Sequence, residues 1–138
     1  MLGPSAPVDP ASLAPGEKPP FDTAGVADPC LLPRVTVDGT LHVRVLYTGY
    51  DATATGTIGF AARYGDHGPL VKQPNPVYSV NTSAAAPTLL AWGDDRYAML
   101  YVEQSYALDS TTVYPAVAAA FAPPTFTLPQ PTSYATGP

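Results

Sequence analysis

Leu41-His42-Val43-Arg44-Val45-Leu46-Tyr47 alternates apolar and polar residues, the period-two signature of a strand with one buried face. Leu41, Val43, Val45 and Tyr47 fall on one side, and His42 and Arg44 on the other. Val35-Thr36-Val37 precedes this strand, separated by Asp38-Gly39, a dipeptide that tolerates the positive φ of a tight hairpin. Thr48-Gly49-Tyr50-Asp51 ends the strand, and a loose connection leads to Thr57-Ile58-Gly59-Phe60-Ala61-Ala62-Arg63. The small residues in that segment predict close approach of another sheet. Gly65 to Gly68 turns the chain again, and Asn75-Pro76 precedes a short closing strand from Val77 to Val80.

The pattern then recurs. Ala27-Asp28-Pro29-Cys30-Leu31-Leu32 aligns with Ala85-Ala86-Pro87-Thr88-Leu89-Leu90, an offset of 58 residues. Leu41 to Tyr47 is answered by Arg96 to Tyr101, and Ile58 to Ala62 by Val117 to Phe121. Each unit is a Pro-Leu-Leu strand, an Asp turn, an aromatic-ended strand, a long loop and an alanine-rich strand. Four strands in about fifty residues is the size of one propeller blade; a sandwich with even strand spacing is the alternative. Pro115 before the second alanine-rich run and Pro123-Pro124 after it leave little room for a helix. The expectation is an all-β chain of antiparallel four-stranded blades, a partial, two-blade β-propeller. Leu31, Leu32, Val45, Tyr47, Ile58, Leu89, Leu90, Met99 and Tyr101 should be buried.

Composition sets the limits of that unit. Of 18 prolines in 138 residues, six lie in residues 1–20 and five in 123–138. This predicts Pro-rich tails at 1–20 and 123–138, extended and solvated, around a unit at 21–80 and a second at 81–122. The proline content excludes a helical bundle. Six basic against 11 acidic residues give a net charge of −5, which argues against a nucleic-acid partner. No apolar run is long enough to cross a bilayer as a helix, so no membrane partner is expected. Met1 to Pro20 has neither the basic nor the apolar region of a signal peptide, and localisation stays open. Cys30 has no partner for an intrachain disulfide; it reads as a core thiol, with a nucleophile as the alternative. One Cys with His42 and His67 makes no zinc site, and no phosphate loop or other cofactor motif is present, so neither metal nor cofactor is expected. Asn81-Thr82-Ser83 is a glycosylation acceptor pattern, relevant only to a chain exported by a eukaryote.

Four segments in order carry a family likeness: Phe21 to Pro29, Leu46 to Asp51, Ile58 to Ala61, and Asn75-Pro76-Val77. Together they resemble the blades of five-bladed β-propeller glycoside hydrolases, the arabinanase, invertase and mannoside-phosphorylase group. The likeness spans about residues 21–122, two blades of five. It implies a carbohydrate-directed chain, in a family that is often exported. The Ser-x-Asp-Gly turn and the Trp that usually follow the Ile-Gly-Ala strand are replaced by Arg63 to Leu70, and the remaining blades are missing.

Glycosidases of this kind use two carboxyl groups, ~5 Å or ~6.5–9.5 Å apart. Asp28 occupies the position that the resemblance makes catalytic, as base, nucleophile or stabiliser; its alternative is a turn residue before Pro29. The equivalent residue of the second unit is Ala86, which leaves Glu103 as the other candidate acid, with a solvated hairpin acid as its alternative. His42, Arg44 and Trp92 are candidate sugar contacts; a solvated strand face (His42, Arg44) or inter-sheet packing (Trp92) is the alternative. With a second carboxylate lacking, the chain is expected to be inactive alone, and whether it is an enzyme is left open. The competing reading is a non-catalytic β-sheet module that binds, or that assembles through an exposed sheet. Repeat units rarely bury their faces alone, so self-association or further blades are expected as partners.

Overall fold

Val, Thr, Tyr and Leu recur beside many alanines between the proline clusters, and in a computed structural model these segments form antiparallel strands with almost no helix. The structure describes residues 2–37, 39–65, 67–80, 83–91, 96–104 and 116–121; for 35, 37, 64, 104 and 116–121 only the backbone is considered. The strands are β1 (Gly25–Leu31), β2 (Val35–Val37), β3 (Thr40–Tyr50), β4 (Gly56–Tyr64), β5 (Val71–Lys72), β6 (Ser83–Ala91), β7 (Tyr97–Gln104) and β8 (Ala116–Phe121). Sheet 1 has the order β1-β3-β4-β5, with β2 on the early part of β3. Sheet 2 has the order β6-β7-β8. The Asn75-Pro76-Val77 segment closes sheet 1 through an isolated bridge from Tyr78 to Ile58.

The two sheets are copies of one pattern. In β1 one extra residue is inserted between Ala27, opposite Thr48, and Cys30, opposite Leu46. In β6 the same bulge lies between Ala85, opposite Val102, and Thr88, opposite Leu100. Asp28 and Ala86, the residues at the two bulges, both hold positive φ, 52° and 53°. Such a backbone is costly for residues other than Gly, by roughly 1–2 kcal/mol, and Asp tolerates it better than Ala. Its recurrence before Pro29 and Pro87 marks the repeat more firmly than side-chain likeness does. The ladder refines the last strand: Tyr47 faces Gly59 where Tyr101 faces Val117, so Gly59 rather than Ile58 is the counterpart of Val117.

The sheets stack with unlike faces together. Leu32, Leu46, Ile58, Phe60 and Ala62 of sheet 1 meet Ala84, Tyr97, Met99 and Tyr101 of sheet 2 in the main core. Phe60, Leu46, Ile58 and Met99 are fully buried there, each contributing about 1.5–3 kcal/mol by area removed from water. Hydrogen bonds span the junction, among them Gly56 N–H to Ser83 Oγ at 2.7 Å, Ala86 N–H to Thr48 Oγ1 at 2.9 Å, and the Tyr78 hydroxyl against that of Tyr101 at 2.9 Å. The opposite side of sheet 1 carries Val45, Tyr47 and Ala61, and Leu2, Phe21, Val26 and Leu70 pack on them. The N-terminal tail, exposed along most of its length, is thus anchored at its start rather than wholly solvated. Tyr47 lies flat across Gly59, where any Cβ would collide with the ring.

Leu31 and Leu90, expected in the core, are 70% and 57% exposed. A strand turns alternate residues to opposite faces, so of each Leu-Leu pair only one enters the core. The bulge resets the alternation in each unit. Cys30 of β1, Leu32 just past its end, and Leu89 of β6 are the residues that reach it.

Candidate functional site

The edge strands β1 and β6 lie against one another and bring the two bulges together. Thr48, fully buried on β3, joins them: its hydroxyl donates to Asp28 Oδ2 at 3.0 Å and accepts from Ala86 N–H at 2.9 Å. Asp28 is itself exposed. Its carboxylate is therefore held on one side by a buried, doubly hydrogen-bonded hydroxyl, while Asp28 as a whole is exposed. Tyr50 is close enough for the Asp28 charge to matter: burial, and then that charge, push its phenol above the ordinary range. An ionised carboxylate has about four acceptor positions, and Thr48 occupies one of those on Asp28.

The other sequence candidates lie elsewhere. Glu103 is on β7, opposite Ala84, one strand in from the edge that carries Ala86. Its charge contributes to holding the Tyr101 phenol up at about 12, behind the hydrogen bond with Tyr78 and burial. His42 and Arg44 are buried, so the strand side expected to be solvated is turned inward beside Leu46. The Leu32–Arg34 segment lies over that side: Leu32 N–H donates to the Arg44 carbonyl, and Arg44 Nη2 donates to the Pro33 carbonyl at 3.0 Å. Arg44 and His42 are four and six residues along β3 from Thr48, a run of roughly 14 and 20 Å at strand rise. Neither reaches a small ligand seated on Asp28. Trp92 and the Asn81-Thr82 part of the acceptor pattern lie outside the described residues. Cys30 packs half-buried against the main core.

One cluster escaped the sequence reading. On the outer side of sheet 1, Asp22 is buried and receives Lys72 Nζ at 2.6 Å and the Tyr47 hydroxyl at 3.2 Å. Lys72 also donates to the Gly3 carbonyl and to Ser5 Oγ, and lies 5.6 Å from the Tyr47 ring centre. Burial pushes the Asp22 carboxyl up, but the Lys72, Ser5 and Tyr47 contacts outweigh it and hold the group below its usual range. Burial, then the Asp22 charge, push the Tyr47 phenol well above its own. These groups floor a cleft of about 330 Å³ whose walls include Glu17, Lys18 and Phe21. Because acid and cation neutralise each other, the cluster is a clamp between tail and sheet. Asp22 and Lys72 are 50 residues apart, and no local pattern links them.

Among the described residues no group of three or more His, Cys, Asp or Glu side chains is arranged to hold a metal ion. No described helix is long and apolar enough to cross a membrane. No family model, curated protein or solved structure matches this chain, so its chemistry rests on the geometry described above.

Proposed function

We propose that the chain is a carbohydrate-directed module made of two units of the propeller type seen in glycoside hydrolases, and that alone it binds sugar without hydrolysing it. The observation that carries this reading is Asp28: exposed at a strained bulge, oriented by buried Thr48, and set beside the matching bulge of the second unit. A fixed carboxylate at the mouth between two inner strands is suited to accept hydrogen bonds from the hydroxyls of a polyol. Hydrolysis needs a second carboxyl group to complement it. The position that repeats Asp28 is held by Ala86, which has no acid to offer.

The test is a panel of arabino-, fructo-, xylo- and manno-oligosaccharides, with product detection and binding calorimetry side by side. Weak binding to at least one member, lost in Asp28→Asn, with no product from any, is the expected result. Binding unchanged in Asp28→Asn would overturn the assignment of the site. Turnover abolished by Asp28→Asn would instead mean that a second acid acts, with Glu103 the first to test. A second reading, an assembly module, is favoured by a different feature, Leu90 on the outer face of sheet 2, which is 57% exposed.

A further inference from the structure

Tyr78 and Tyr101 join the two sheets at a point that the carbohydrate reading does not use. Tyr78 stands in the segment that closes sheet 1 through its bridge to Ile58, and Tyr101 lies on β7, the middle strand of sheet 2. Their hydroxyl oxygens are 2.9 Å apart, their ring centres 5.0 Å apart, and their planes tilted by 59°. Aromatic pairs sit with their centres about 4.5–7 Å apart, so this pair is at the close end. Two phenols that touched only at their tips would hold their ring centres much further apart. Here the rings lie side by side with their C–O bonds converging, so a carbon ortho to one hydroxyl faces a carbon ortho to the other. These are the carbons on which a phenoxyl radical carries its unpaired electron. Tyr101 is 4% exposed and Tyr78 half-buried, which shields the pair from other molecules. Tyr47, by contrast, stacks on Phe21, which has no hydroxyl to oxidise.

We infer that Tyr78 and Tyr101 are a preformed dityrosine site, which a one-electron oxidant converts into a covalent staple between the two sheets. The oxidant takes one electron from half-buried Tyr78, and the hydroxyl proton leaves to solvent. The Tyr78 phenoxyl then takes the hydroxyl hydrogen atom of Tyr101 across the 2.9 Å contact, which moves the radical inward and restores the Tyr78 phenol. A second equivalent of oxidant removes an electron and a proton from Tyr78 again. The two radicals combine and form one C–C bond between the ortho carbons. Each of these carbons loses its ring hydrogen as a proton and each oxygen regains one, so both phenols return. In balance, two phenols lose two electrons and two protons. The fixed geometry makes this a reaction within one chain. The staple joins residues 23 apart, and a cross-link of that kind restricts the unfolded chain. The inference is independent of the carbohydrate reading, since it uses neither Asp28 nor Thr48.

Photo-oxidation of the dilute full chain with a ruthenium tris-bipyridine complex and persulfate, a source of one-electron oxidant, tests it. The chain has nine tyrosines, so the product is mapped by peptide mass spectrometry as well as read by dityrosine fluorescence. The expected product runs as a single chain on a denaturing gel, is lighter by two hydrogen atoms, and joins the Tyr78 peptide to the Tyr101 peptide. It should stay folded in urea that unfolds the untreated chain. Tyr78→Phe and Tyr101→Phe, which keep the rings but cannot form the radical, should each lose it, and the chain oxidised after unfolding in urea should form much less. Coupling mapped to other tyrosines or only between chains, tyrosine oxidation without coupling, an equal yield from the unfolded chain, or a coupled product no more resistant to urea would each overturn the inference.

Discussion

Removing the Asp22 charge tests how the tail is held. In Asp22→Asn the side chain keeps its volume and can still accept from the Tyr47 hydroxyl, but the 2.6 Å charged contact with Lys72 is lost. Breaking a buried pair costs ~3–5 kcal/mol. Lys72 retains 20% side-chain exposure and its contacts with Gly3 and Ser5, which lowers the expectation to about 2–3 kcal/mol. For a folded region of this size that is a drop in Tm of roughly 8–12 °C. Lys72→Met should cost more at neutral pH, because it strands the more deeply buried partner, and it should recover as pH falls and Asp22 takes a proton. The double variant should lose less than the sum of the two. The pH limb has a definite sign. Asp22 is held below its ordinary value of 3.8, so its contribution is complete above about pH 4 and is lost as pH falls through the lower folded value. That acid limb should flatten in Asp22→Asn. Thermal melts across pH, with limited proteolysis of residues 2–20, read all of this. Single variants within 0.5 kcal/mol of the unmodified chain, on the scale of an ordinary surface change, together with an additive double variant, would refute the clamp.

Three further outcomes are expected. Thr48→Val keeps the shape but leaves Ala86 N–H without its acceptor, and chemical denaturation should show a loss of about 1–3 kcal/mol. Ala86→Gly relieves a side chain at φ 53° and should raise stability by about 1 kcal/mol in the same assay, where a loss would show the bulge to be unstrained. Tyr47, Tyr50 and Tyr101 all have phenols raised above 10.0, Tyr101 to about 12. An acid with a raised folded pKa costs stability as pH climbs past its unfolded value, so phenolate absorbance and loss of β-sheet signal should rise together above about pH 10, whereas phenols that ionise in the intact fold would contradict the burial.

Much of the fold is legible along the chain because period-two alternation and proline placement are local signals. The repeat is visible in Pro-Leu-Leu and in the tyrosine-ended strands. What it hides is the bulge. Asp28-Pro29 and Ala86-Pro87 look like turns, yet each is an extra residue inside a strand, which decides that Leu32 faces inward and Leu31 outward. The alanine run of β8 offers no side chain to fix its register, and matching it by eye slips it by one residue. Asp28 stands out only through the family resemblance. Thr48, which orients it, does not, because its role depends on a contact with Ala86, 38 residues away. Asp22 and Lys72 are invisible for the same reason, and so is the inward turn of Arg44, whose guanidinium bonds the Pro33 carbonyl, 11 residues away.

On the proposed function, the junction of the two bulges at Asp28 is where the chain meets carbohydrate. The most direct test is a heteronuclear NMR titration of the labelled chain with the oligosaccharide panel, following backbone amides. Saturable shifts centred on Asp28, Thr48 and Ala86 are expected, absent in Asp28→Asn, with His42 and Arg44 at the far part of β3 unmoved. Shifts confined to the Asp22–Lys72 cleft, or none at saturating sugar, would contradict it.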